Sequence, residues 1–389
     1  MKNLNIPVGI SDFEKIRREG FYYIDKTGLV KELLNPKPAE VTLITRPRRF
    51  GKTLAMSMLE NFFDIKKNSR DLFAGLEISA SEELCSRWMN QCPTVSLSFR
   101  QVDGLDFSSA YDMLTMVISN LFNRHRYLLE SQEISEFQKT AFVQIASQKA
   151  TAGEIKNSLI LLTDMMQTYY GKKVLLLVDE YDVPVAKANN NGYYEEMLDV
   201  MKGLMQALKD NRALGFAVVT GCMKIAKESI FTGTNNFVSD TIADSRLNEY
   251  FGFVQREVDQ ILADGEITDK RELIKQWYDG YHFGDWDVYC PWDVMNYVLE
   301  LQHNPQAKPA GYWKNTSDNA IIRSFIDYAG GSITRKLEIL MEGGYIIQQI
   351  DKNLTYDYLH SSEDNLWSVL YLTGYLTQVR SETLALRSE

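Results

Sequence analysis

The chain has 389 residues, 45% of them hydrophobic, which is enough for two or three domains with sizeable cores. Lysine plus arginine total 42 against 52 aspartate plus glutamate, and the net charge of −10 argues against a surface wrapped around nucleic acid while leaving room for a local basic patch. Residues 1–7 lack an apolar signal core and the longest apolar runs are far too short to span a bilayer, so a cytoplasmic protein with no membrane partner is expected.

Residues 41–45, Val-Thr-Leu-Ile-Thr, form a short β-rich run, and from Gly51 onwards apolar residues at 54, 55, 58, 59 and 62 carry helical spacing. A strand, a loop and a helix are predicted in that order. A second β-like run covers 94–99. Helical periodicity follows over roughly 106–170, with breaks near 131–135 and 151–153, predicting a helical insertion laid over a sheet. Residues 174–178, Val-Leu-Leu-Leu-Val, have the unbroken apolarity of a parallel strand buried on both faces, and the run stops at Asp179, Glu180, Tyr181 and Asp182. A helix is expected at about 194–210 and another buried strand at 214–219, ending in Thr220-Gly221. Strands alternating with helices indicate an α/β fold with a doubly wound parallel sheet. Beyond about 252 the helices shorten and Gly and Pro punctuate them, which divides the chain into 1–251 and 252–389. Four cysteines lie scattered without a Cys-x-x-Cys pair, so free thiols are expected rather than a zinc site.

A phosphate-binding loop reads Gly-x-x-x-x-Gly-Lys-Ser/Thr, its backbone N–H groups wrapping phosphates, its lysine reaching the β and γ phosphates and its hydroxyl ligating Mg²⁺. Here Gly51, Lys52 and Thr53 fill the last three positions, but Arg46 stands where the first glycine should be. Alone, the three residues fit a solvated basic turn equally well. The preceding strand and following helix favour a site, because a helix N-terminus offers free N–H groups and a positive dipole to an anion. Asp179 and Glu180 supply the second half: an acid ending a buried strand holds Mg²⁺ through its water shell, and the next Glu polarises the attacking water. Both half-motifs fall at the C-terminal ends of parallel strands, where open α/β sheets bind ligands.

ATP with Mg²⁺ is therefore the expected ligand. Thr53 and Asp179 are the expected metal ligands, Arg48, Arg49, Phe50, Gly51, Lys52, Thr53 and Leu54 the expected nucleotide contacts, and Glu180 with Lys52 and Thr220 the expected catalytic set. Several roles stay open. Arg46, Arg48 and Arg49 either meet phosphate or pair with Asp179 or Asp182. Asp182 crowds the other acids, a repulsion that a divalent cation would offset. Thr220 either reaches the γ-phosphate and lytic water or caps a helix. Lys224 and Lys227 either stabilise charge on the transferred phosphoryl or lie on a helix surface. No Asn-Lys-x-Asp guanine signature is present, which points to adenine, and Glu180 beside Asp179 favours water as the acceptor.

The runs at 10–17, 22–27, 46–53, 178–184, 220–221, 225–231 and 277–281 together, spread over almost the whole chain, resemble the bacterial AAA-ATPase-like family. The resemblance implies a P-loop ATPase of the additional-strand, catalytic-Glu type, in which Arg46 is a family trait rather than a lost glycine. It also implies that Ile10 and Phe13 lie near the adenine. Where the family often has arginine before the Ile-Ala pair this chain has Lys224, which weakens the carry-over of an arginine finger to that position. The C-terminal part looks like a mostly helical, winged-helix-like module ending near 372–377. A PD-(D/E)XK nuclease-like domain commonly follows in the family and is not expected here, since the chain stops at Glu389. The expected function is slow Mg²⁺-dependent ATP hydrolysis to ADP that switches the C-terminal module or a downstream nuclease-like domain. Against it stand a nucleotide-gated interaction or DNA-binding module with little turnover, where nucleic acid meets the C-terminal module, and a structural protein with a vestigial loop. Oligomerisation is left open.

Overall fold

A computed structural model describes residues 2–224, 237–313, 331–352, 354 and 362–379. Its centre is a five-stranded, wholly parallel sheet of β1 (Val41–Thr45), β2 (Thr94–Ser98), β3 (Val174–Asp179), β4 (Leu214–Gly221) and β5 (Phe237–Asp240), in the spatial order β2-β3-β4-β1-β5. The register aligns the C-terminal ends along one edge, with Thr45 opposite Gly221 and Ser98 opposite Asp179. β4 is thus interposed between β1 and β3, which carry the two halves of the expected site.

Every residue of β1 and β3 is buried. Side chains of a strand alternate between its faces, and here both faces are covered, so both positions of the alternation must be apolar. On one face Leu43, Leu176, Val178 and Val219 join a core with the helices Phe107–Arg124, Ser158–Tyr170 and Tyr194–Met205. On the other, Ile44, Leu175, Leu177 and Val218 meet the helix Lys52–Phe63 and Phe13 of the short helix Phe13–Arg18. The helical insertion breaks where the polar runs fall: Glu136–Ala146 begins on a Ser135 capping box, and Ala152–Lys156 on a Thr151 capping box with Glu154.

His125 closes Phe107–Arg124 and is 3% exposed, its Nδ1 3.2 Å from the Tyr127 hydroxyl. Burial, reinforced by Lys66 and Arg124, pushes its imidazole from the ordinary 6.5 down to about 3. The unfolded chain therefore binds the extra proton between those values, so the contribution to stability is full above pH 6.5 and declines as pH falls towards 3. Urea unfolding at pH 7 and pH 5 is expected to show the parent losing about 2 kcal/mol more than His125→Gln over that interval. An equal loss in both proteins would remove His125 as the cause.

After the sheet the chain forms the helices Gln255–Asp264, Arg271–Tyr278 and Pro291–His303 and an antiparallel hairpin, β6 (Tyr281–Phe283) with β7 (Trp286–Val288). These do not stand apart from the start of the chain. Ile6 and Ile24 share a core with Val258, Ile261, Ile274 and Tyr297, and Phe50 shares another with Val288, Trp367 and Leu370. Among the described residues no helix is long and apolar enough to cross a membrane.

Candidate functional site

The loop leaving β1 begins with Arg46, whose amide still continues the ladder by donating to the Gly221 carbonyl at 3.1 Å. Its side chain turns away from the loop mouth. It is fully buried, donates from Nη1 to the carbonyls of Thr45 (2.8 Å) and Asp240 (2.9 Å), ion-pairs through Nη2 with the Asp240 carboxylate, and lies 5.2 Å from the centre of the Phe251 ring. Neither phosphate contact nor pairing with Asp179 or Asp182 fits this orientation; Arg46 instead fastens edge strand β5 to the loop.

Gly51 takes φ 88°, a left-handed conformation that side-chain-bearing residues rarely adopt, and the helix starts at Lys52. Lys52 is 6% exposed and donates from Nζ to the Arg46 and Pro47 carbonyls, both at 2.8 Å, closing the loop on itself. The Thr53 hydroxyl donates to Asp179 Oδ2 at 2.9 Å, and the Thr220 hydroxyl donates to Oδ1 at 2.5 Å. Thus the first turn of the helix Lys52–Phe63 and the ends of β3 and β4 meet at one carboxylate. Thr53 and Asp179 are hard oxygen donors of the kind Mg²⁺ takes, and Mg²⁺ keeps several waters and needs only one or two protein oxygens besides phosphate. The residues fit that ion.

The three acids after β3 diverge. Asp182 is 2% exposed and accepts at Oδ2 from the amides of Cys222 (2.9 Å) and Met223 (3.0 Å), so it fastens the chain leaving β4 rather than crowding a metal. Glu180 sits at φ 52° and faces a cavity. Burial, and then the neighbouring Asp179, push its carboxyl up, opposed by Lys52 and Arg100.

That cavity encloses about 440 Å³, a size suited to a small-molecule cofactor. One wall is Arg48, Arg49, Phe50, Gly51, Lys52, Thr53 and Leu54; a second is residues 7–11, including Ile10; a third is Phe253, Trp292 and Met295. The N-terminal segment and the C-terminal helices therefore close over the same space. Phe13 does not line it: the ring is fully buried beneath, 5.4 Å from Tyr23 and 4.9 Å from Phe73, centre to centre. Thr220 is also fully buried, behind Asp179 and outside the lining, which leaves it orienting the carboxylate. Lys224 does not line the cavity, and Asp244 and Asp351 both act on its charge. Lys227 and the run 225–231 lie outside the described residues.

The residues between Arg46 and Gly51 are held by the C-terminal part. Phe50, fully buried, meets Tyr281 at 4.9 Å and Phe283 at 5.2 Å between ring centres. The Arg49 guanidinium lies 4.0 Å from the Trp292 ring centre, and the Trp313 indole donates to the Arg48 carbonyl at 3.1 Å. Arg100 and Lys187 also line the cavity, and neither was singled out from sequence. The signal for Arg100 was present in its position just beyond a predicted strand, on the edge where ligands bind. For Trp292 no local signal existed.

Residues 7–231 match the family described as Predicted AAA-ATPase. A curated relative, "Uncharacterized protein in vnfD 5'region" of Azotobacter chroococcum mcd 1, is 27% identical over 384 residues, covering 97% of this chain; the chain spans 64% of that relative's length. No solved structure matches. With more than half of its length matched, including the loop, the acid-bearing strand and the end of β4, the chain belongs to the predicted AAA-ATPase family.

Proposed function

We propose that this chain binds MgATP in the 440 Å³ cavity and hydrolyses it slowly to ADP, the loop reporting nucleotide state to the C-terminal module. The observation that carries the reading is the convergence of Thr53 and Thr220 on Asp179 beneath a cavity that Lys52 and Glu180 enter. In it, the Gly51 helix start and Lys52 bind phosphate, Thr53 and Asp179 hold Mg²⁺, Glu180 takes a proton from water, and Ile10 borders the base. The interposed β4 agrees with an additional-strand, catalytic-Glu ATPase. When bound, Mg²⁺ would neutralise charge on the β and γ phosphates.

The switch rests on residues 47–50. Burying a phenylalanine ring is worth about 1.5–3 kcal/mol and an exposed cation–π contact about 0.5–1 kcal/mol, so Phe50 against the hairpin is a stronger link to the C-terminal part than Arg49 against Trp292 of the helix Pro291–His303. In this reading the part after 252 is the winged-helix-like module that would receive the signal.

Isothermal calorimetry with MgATP tests the binding step. Lys52→Ala removes charge-assisted contacts worth about 1.5–3 kcal/mol, so affinity is expected to fall about 10- to 150-fold, and the thermal melt to fall as well because the Arg46 and Pro47 carbonyls lose their donor. A parent that binds no MgATP, or a Lys52→Ala protein that binds as tightly as the parent, would defeat the proposal.

A further inference from the structure

Beyond the loop itself, the cavity carries cations that no motif accounts for. Lys187 is paired with Asp103 at 3.3 Å, and Lys26 donates to both oxygens of Glu257 at 2.7 Å. Lys52 is occupied by loop carbonyls, and Arg49 is stacked on Trp292. Arg100 differs: among the described residues its guanidinium has no hydrogen bond or ion pair, yet it lines the cavity that Glu180 and Lys52 also line. Its position is fixed from below. The Phe99 amide donates to the carbonyl of Asp179 at 3.0 Å, so Arg100 is one residue beyond the point where β2 is fastened to the acid-bearing end of β3.

We propose that Arg100 is the built-in cation that meets the terminal phosphate of bound ATP and stabilises the charge that develops there during transfer to water. An uncommitted, forked donor that lines the same cavity as the lysine-bearing loop suits three phosphate oxygens better than the point charge of a second lysine. Lys224 has its own acidic neighbours outside the cavity, so Arg100 takes the role that sequence position suggested for Lys224. This rests on the ATPase reading above and adds a residue to it.

The test uses the full chain with Arg100→Ala and Arg100→Lys. Calorimetry with MgADP and MgATP, and phosphate release under single turnover, are measured for each. Because ADP lacks the terminal phosphate, its affinity is expected to be unchanged in both variants. Arg100→Ala is expected to lose the parent's preference for ATP over ADP and to release phosphate about 10³-fold more slowly, in line with other transition-state arginines. Arg100→Lys recovers part of both. Retention of parental turnover and of the ATP preference in Arg100→Ala overturns the assignment while leaving the ATPase reading intact. A parent that binds neither nucleotide defeats both, since Arg100 then has no phosphate to meet.

Discussion

Replacing Arg46 with glycine, the residue that usually opens such a loop, is expected to destabilise the protein by about 3–5 kcal/mol rather than improve it. The guanidinium is fully buried and its partner Asp240 is 2% exposed. Removing one member of a buried pair strands the other charge in a medium of low polarity, and that penalty exceeds anything a freer loop returns. Arg246, 3.8 Å from the second Asp240 oxygen and partly exposed, is too far away to replace the lost hydrogen bonds. β5 has four residues and pairs with β1 alone, so the loss falls on the weakest strand of the sheet. Equilibrium urea unfolding of the parent, Arg46→Gly and the double variant Arg46→Gly/Asp240→Asn would measure it. The double variant is expected to recover part of the loss, because a neutral amide is cheaper to bury than an unpaired carboxylate. An Arg46→Gly protein as stable as the parent would mean that the pair does not fasten β5.

Glu180→Gln is expected to keep MgATP affinity and to lose about 10²- to 10⁴-fold in phosphate release, the range for removal of a general base. Glu180 holds φ 52°, a conformation costing a non-glycine residue about 1–2 kcal/mol, and of the three acids after β3 it is the one that lines the cavity. Asp179 is engaged by two hydroxyls and Asp182 by two amides, and neither lines the cavity. Single-turnover phosphate release and calorimetry on the same preparation separate the two roles. If affinity falls as far as the rate, Glu180 acts in binding; if the rate is unchanged, another group activates water.

The elements that could be read from the sequence are those whose burial is symmetrical. β1, β3 and β4 stand where unbroken apolar runs predicted strands, because both faces of a central parallel strand must be apolar. β5, Phe237–Asp240, gave no such run: it is a short edge strand, partly exposed, and it is held by Arg46 as much as by its own composition. The helix Val183–Asn191 was also unread, its Pro184 being tolerated only because it falls in the first turn. At the candidate site, residue type and spacing singled out Lys52, Thr53, Asp179 and Glu180, and the fold brings them together at one end of the sheet. The orientation of charged side chains was not. Arg46 points into the core, Asp182 caps the exit of β4, and Arg100 enters the cavity, all decided by contacts between residues far apart in the chain. The same holds for Phe13, whose ring fills the space under the cavity instead of lining it.

Phe50 has a consequence for how such proteins can change over time. Its ring is seated against Tyr281 and Phe283, and Gly252 passes so close that a methyl group there would come within 3.3 Å of it. A loop of this kind cannot be inherited without its socket. Exchange of everything after 252 for an unrelated module would leave an aromatic ring and the apolar Ile6 and Ile24 facing water. Loop, N-terminal segment and hairpin therefore form one heritable unit, and variation is free only in parts that do not touch it.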